Sequence, residues 1–256
     1  MNLAAQESIV PGDSVAERLR NLEVCGYSAV ELIYGLTKQR VEETMSALAD
    51  SPIQALSMCT SREHDLGTVG TNFAERVSMF RQTLDFASQF GVQRIVSVPV
   101  RGPIDIGVTQ RAEIDQYVEA LKIVGEHAES LGMIVVIEPL VRYETHLINR
   151  LEQAVEIAKS VGRAGVGIVA DFFHMNVEEA NIAESVAAAR QWIQHVHLAD
   201  SNRLNPGRGH TDFKPAMQAL KSIGFEGALA LECKLADGPP LAELKHSSAY
   251  IGSLLN

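Results

Sequence analysis

The chain has 256 residues, 46% hydrophobic and 21% charged, with 19 Gly and 9 Pro. That balance excludes collagen-like, disordered and coiled-coil classes. Its 22 Lys and Arg against 32 Asp and Glu leave a formal charge of −10. No run of basic residues offsets it, so a nucleic-acid partner is not expected.

Short apolar runs alternate with longer amphipathic stretches throughout. The strand candidates are Leu3–Val10, Ala29–Ile33, Ile53–Ser57, Arg94–Val98, Ile134–Glu138, Val166–Asp171, His195–Leu198 and Ala228–Glu232. Several are rich in Val, Ile and Leu without strict alternation, as parallel strands covered on both faces should be. Helix candidates carry apolar stripes at three- and four-residue steps. They are Val15–Val24, Val41–Ala49, Phe73–Phe90, Ala112–Leu131, Leu151–Val161, Ile182–Trp192, Pro215–Ile223 and Leu241–Leu254. Gly26, Gly91, Gly132, Gly162 and Gly224 each follow the last periodic residue of a stripe, where a left-handed residue closes a helix. Eight strands and eight helices in βα order predict an α/β protein, a single (β/α)8 TIM barrel spanning residues 1–256. An open doubly wound sheet is the alternative. It would carry a glycine-rich loop after its first strand, and Val10-Pro11-Gly12-Asp13-Ser14 is not one.

Cys25, Cys59 and Cys233 are odd in number and far apart, which argues against a disulfide framework or a zinc ribbon. Residues 1–7 lack a basic leader, and no stretch reaches the roughly 18 apolar residues of a membrane helix. A reducing cytoplasmic location, with no membrane partner, is the expectation.

Barrel chemistry sits at the C-terminal ends of the strands. Strand two there carries Ala29-Val30-Glu31-Leu32. Strands five to eight end in Glu138, Asp171, His197 and Glu232. One such carboxylate is commonly a helix cap or an ion-pair partner. Three brought together resist ionisation unless a cation sits among them. Carboxylates plus one imidazole suit a divalent ion: Mn²⁺, Mg²⁺, Co²⁺ or Zn²⁺, of which Mn²⁺ is preferred. His174 stands three residues past Asp171, at the start of the following loop. Glu144 follows Glu138 closely. The segment Ser201–His210 is a glycine-containing loop carrying Arg203 and Arg208, arginines suited to substrate hydroxyls or anions. His64, His127, His146 and His246 read as solvated. Cys233 points away from Glu232 by strand alternation, and Trp192 reads as packing a helix on the barrel wall.

The segments Ile137–Glu144, Asp171–Glu179 and His195-Val196-His197, with Asn202-Arg203, Pro206–His210, Leu231-Glu232 and Gly26–Leu32, resemble the xylose isomerase-like barrels. They are most similar to ketose 3-epimerases and hydroxypyruvate isomerases. The resemblance implies that Glu138, Asp171, His197 and Glu232 bind one divalent metal and that Glu138 and Glu232 are the acid/base pair. It further implies that Glu144, His174 and Arg203 contact a small carbohydrate or sugar-acid substrate, and that the chain assembles as a homodimer or homotetramer. Val141 and Phe172 depart from the Asn and Thr usual in ketose 3-epimerases, next to the substrate-facing parts of their loops.

Removing a hydrogen α to a sugar carbonyl leaves an enediolate, whose charge a divalent cation stabilises. One glutamate takes the proton. A second can return it to the opposite face, giving epimerisation, or to the neighbouring carbon, giving aldose–ketose isomerisation. Decarboxylation or dehydration of an oxidised sugar acid would use the same site. An abasic-site endonuclease would need histidines after strands three and four, where Leu56-Ser57-Met58-Cys59 and Ser97-Val98-Pro99-Val100 stand. A non-catalytic sugar-binding barrel is the remaining alternative.

Overall fold

A computed structural model of the chain describes residues 1–70 and 72–255. Eight parallel strands close on one another in sequence order: β1 Asn2–Gln6, β2 Ala29–Ile33, β3 Gln54–Cys59, β4 Arg94–Ser97, β5 Ile134–Ile137, β6 Val166–Asp171, β7 Ile193–Leu198 and β8 Ala228–Leu231. The α-helices between and after them are α1 Val15–Val24, α2 Tyr34–Thr37, α3 Val41–Ala49, α4 Phe73–Ser88, α5 Gln110–Ser130, α6 Leu151–Val161, α7 Phe172–Glu178, α8 Ile182–Ala189, α9 Phe213–Ser222 and α10 Pro240–Leu255. The sequence-predicted (β/α)8 barrel is the observed fold. All five glycines expected to close helices have positive φ, from 67° at Gly162 to 84° at Gly26. Among the described residues, no helix is long and apolar enough to cross a membrane.

The strand period of two sorts side chains between two cores. Ala5, Val30, Val135, Ile137, Ile168, Ala170, Val196 and Leu229 belong to the large apolar cluster shared with the helices. Their neighbours Ala4, Ala29, Ala228 and Ala230, and separately Val96, Val136 and Val169, form small clusters inside the barrel. One step further along five of the strands, that interior row becomes polar. Gln6 follows Ala4, Glu31 follows Ala29, Glu138 follows Val136, Asp171 follows Val169 and Glu232 follows Ala230. Two register shifts adjust the row. Pairing of β2 with β3 skips Leu56 and sets Glu31 beside Ser57, and pairing of β6 with β7 skips Gln194 and sets Val169 beside His195. Irregularities of this kind re-aim side chains near active sites.

Four expectations need correction. The first strand stops at Gln6, because Glu7 Oε1 accepts Ile33 N at 2.8 Å and Thr37 Oγ1 at 3.1 Å and turns Glu7–Ile9 into a 3₁₀ turn. The helix predicted over Ile182–Trp192 ends at Ala189. Trp192 lies in the turn leading to β7, its carbonyl accepting Ile168 N. The loop expected after Asp171 is helix α7, with Asp171 as its cap. His64 is buried rather than solvated, its Nε2 2.9 Å from Thr83 Oγ1 and its ring edge-on to Tyr34. Nor are His127, His146 and His246 fully solvated, all three being partly buried.

Candidate active site

Glu138, Asp171, His197 and Glu232 come from four adjacent strands and converge: one ligand atom from each lies within 4.8 Å of the others. His197 Nδ1 is the centre, 2.6 Å from Glu138 Oε1, 3.3 Å from Glu232 Oε2 and 3.7 Å from Asp171 Oδ2. Asp171 Oδ1 accepts the backbone N–H groups of Phe173 and His174 at 2.7 and 2.9 Å, which orients the carboxylate. Its other oxygen, Oδ2, is buried with no hydrogen-bond partner. A buried orphaned carboxylate oxygen inside a cluster of two further carboxylates and an imidazole is what a divalent cation satisfies.

The electrostatics are strongly coupled. Burial pulls His197 down, but the carboxylates of Glu31, Glu232 and Glu138 prevail and hold it well above its ordinary range. Burial pushes Glu138 up, with Glu232 and Asp171 adding to the effect against His197. Burial acts the same way on Glu232, yet His197 and Arg203 hold it down to about 2.

Arg203 covers the cluster. Its Nη2 donates to Glu232 Oε2 at 3.2 Å, Nη1 lies 3.6 Å from Asp171 Oδ2, and the guanidinium sits 4.5 Å above the Phe173 ring. It is the non-glycine residue with positive φ, at 62°, among those described. The loop enforces this conformation. Arg203 N donates to Asp200 O and Arg203 O accepts from Lys234 N, both at 2.8 Å. Buried Asp200 in turn accepts the N–H groups of Ser201, Gly207 and Thr211.

His174 is buried, and its Nδ1 accepts Val141 N at 3.1 Å, so Nε2 carries the proton and faces Asp171 Oδ2 at 3.8 Å. Glu144 is exposed on the β5–α6 loop, near enough to raise the pKa of Arg203. Arg208 is not drawn into the cluster: Glu243 on α10 holds it through two 2.8 Å hydrogen bonds. Val141 and Phe172 are buried, Phe172 packing against Phe213. Glu31, His195, Ser57, Cys59 and Gln6 also meet beneath the cluster, and the sequence reading assigned them no role. A signal was present, since His195 is two residues before His197 and must share its face.

A model of the xylose isomerase-like TIM barrel matches residues 19–254. The chain belongs to that family. Across the family, similarity reaches over the full chain to the 3-dehydro-D-guloside 4-epimerase of Escherichia coli K12, 25% identical over 98% of this chain and 99% of that one. The D-psicose 3-epimerase of Enterocloster bolteae is 33% identical over 51% of this chain, and the match spans only 44% of that enzyme's length. Among solved barrels of this kind, the apo form of 3-keto-D-glucoside 4-epimerase, YcjR, from E. coli superposes with a TM-score of 0.92 at 23% identity, covering 99% of both chains. The IOLI protein with a binding zinc atom superposes at 0.83 and 22% identity, covering 100% of this chain and 98% of that one.

Proposed function

We propose that this chain is a divalent-metal-dependent epimerase of a neutral keto-sugar, either a ketose or a keto-glycoside. The observation that carries the reading is that Glu138 and Glu232, immediately after β5 and β8 and so three strands apart, reach the same nitrogen of His197. Glu138, Asp171, His197 and Glu232 would hold one divalent ion, with Mn²⁺ preferred and Mg²⁺, Co²⁺ or Zn²⁺ compatible with the donors. Such an ion, when bound, stabilises negative charge developing on substrate oxygens. The zinc in the IOLI structure supports an ion on this scaffold.

The chain's own residues divide the proton work. Of Glu138 and Glu232, on either side of His197 Nδ1, one takes the hydrogen from the carbon beside the carbonyl and the other returns one on the other face, and the roles exchange for the opposite epimer. His174 Nε2–H, Arg203 and Glu144 would bind substrate hydroxyls. A neutral substrate is favoured because the arginines of the loops after β4, β5 and β7 already have carboxylate partners. Arg101 pairs with Asp65, Arg142 with Glu178, Arg150 with Glu152, Arg203 with Glu232 and Arg208 with Glu243. The epimerases among the relatives support the same reaction class.

The test is incubation of ketoses, keto-glycosides and sugar acids with Mn²⁺ in D2O, followed by NMR. Inversion at one carbon beside a carbonyl with a single deuterium incorporated is expected. Release of CO2 or loss of water from a sugar acid, without exchange in any neutral keto-sugar, would replace this reading with a decarboxylase or dehydratase.

A further inference from the structure

Glu31 lies in the barrel interior beneath the four converging groups and is fully buried. A carboxylate there is tolerated only if donors surround it. Its Oε2 accepts Ser57 Oγ at 2.7 Å and lies 2.8 Å from His195 Nε2 and 3.2 Å from His197 Nε2. Its Oε1 lies 3.2 Å from Cys59 Sγ and 3.3 Å from Gln6 Nε2. The two register shifts in the sheet supply two of these donors, since they set Ser57 beside Glu31 and bring His195 onto the interior face. With donors on both oxygens, the Glu31, Cys59 and His197 group is a satisfied network rather than a second cation site.

The two nitrogens of His197 have different surroundings. Nδ1 faces Glu138, Glu232 and Asp171, whereas Nε2 faces Glu31. An imidazole that binds a cation through one nitrogen must carry its proton on the other and deliver it to an acceptor. Gln6 extends the same support, because its Nε2 also donates to Glu232 Oε1 at 3.2 Å, while its Oε1 accepts Ser8 Oγ at 3.1 Å.

We propose that Glu31 is a positioning residue for the cation site: it accepts Nε2–H of His197, fixes the tautomer that turns Nδ1 toward the three carboxylates, and shares Gln6 with Glu232. This rests on the metal-dependent reading above. Ser57, His195 and Cys59 keep Glu31 in place from the walls of the barrel.

The experiment titrates the metal-stripped full chain with Co²⁺ by calorimetry and records its visible absorption. Glu31→Gln offers His197 a single, contested carbonyl oxygen. It should weaken Co²⁺ binding roughly 10- to 100-fold and alter the ligand-field bands. Ser57→Ala removes a donor to Glu31 but leaves the contact with His197, so it should stay within about threefold of wild type. Wild-type protein that binds no Co²⁺ refutes the metal-dependent reading itself. Wild type that binds, with Glu31→Gln equal to it, overturns only the role of Glu31. A loss in Ser57→Ala as large as in Glu31→Gln also overturns it, by assigning the effect to barrel packing. If Glu31→Gln does not fold, long-range ¹⁵N–¹H spectra of Zn²⁺-loaded wild type decide. His197 with bound Nδ1 and protonated Nε2 supports the proposal, and binding through Nε2 refutes it.

Discussion

Replacing Arg203 by glycine separates its work at the site from its place in the fold. Its φ of 62° is left-handed, which an L-residue occupies at a penalty of roughly 1–2 kcal/mol. Glycine removes that penalty and adds about 0.5–1 kcal/mol of chain entropy to the unfolded state, so the backbone gains slightly. Against this stand the lost ion pairs with Glu232 and, at 3.6 Å, with Asp171, and the lost contact with the Phe173 ring. Arg203 and Glu232 are partly solvated, with side-chain exposures of 27% and 22%, so about 1 kcal/mol is a fair allowance for that pair, and the longer contact with buried Asp171 adds roughly 0.5 kcal/mol. The ring contact adds roughly 0.5–1 kcal/mol. Arg203→Gly should therefore unfold in urea within about 2 kcal/mol of wild type. Its deuterium exchange into a keto-sugar should meanwhile fall at least ~100-fold, the loss typical of a missing charge-stabilising donor. Destabilisation well beyond that allowance would mean the arginine holds the fold. Undiminished exchange in a folded variant would refute its place at the substrate.

Three further outcomes follow from the same geometry. Glu138→Gln keeps the shape of a ligand but removes a proton carrier, so epimerisation should drop by about 10²–10⁴ while divalent ions still bind more weakly, as turnover assays and calorimetry would register. Asp200→Asn leaves one acceptor oxygen for the N–H groups of Ser201, Gly207 and Thr211, so the loop carrying Arg203 should loosen and stability fall by roughly 1.5–3 kcal/mol in urea titration. Burial pulls His146 down, but the Gly102 carbonyl and Glu113 prevail and raise it. Its contribution is then complete below the unfolded value of about 6.5 and is lost as pH rises through the folded value. The Tm gap between wild type and His146→Gln should be wide near pH 5.5 and narrow near pH 8.5, where a constant gap would contradict the assignment.

Much of the barrel was legible because its signals are local. Ala29–Ile33, Val166–Asp171, Val15–Val24, Val41–Ala49 and Leu151–Val161 are the bounds expected from apolar period and the bounds observed. The four strand-end residues were legible for the same reason, since βα order places every strand's C-terminus at one rim. Helix α7 was missed because Asp171 read as a strand end, whereas its carboxylate also caps the following turn.

The amino-acid order by itself determined the alternation of strands and helices, the glycine stops, and the polar residues that end strands five to eight. Only the tertiary structure decided which polar residues meet. The sheet shifts that set Ser57 and His195 beside Glu31, the ion pair that takes Arg208 to α10, and the burial of His64 all depend on contacts between residues far apart in the chain. Local periodicity carries no record of strand register or of closure, and those two set the distances on which a cation site and a proton transfer depend.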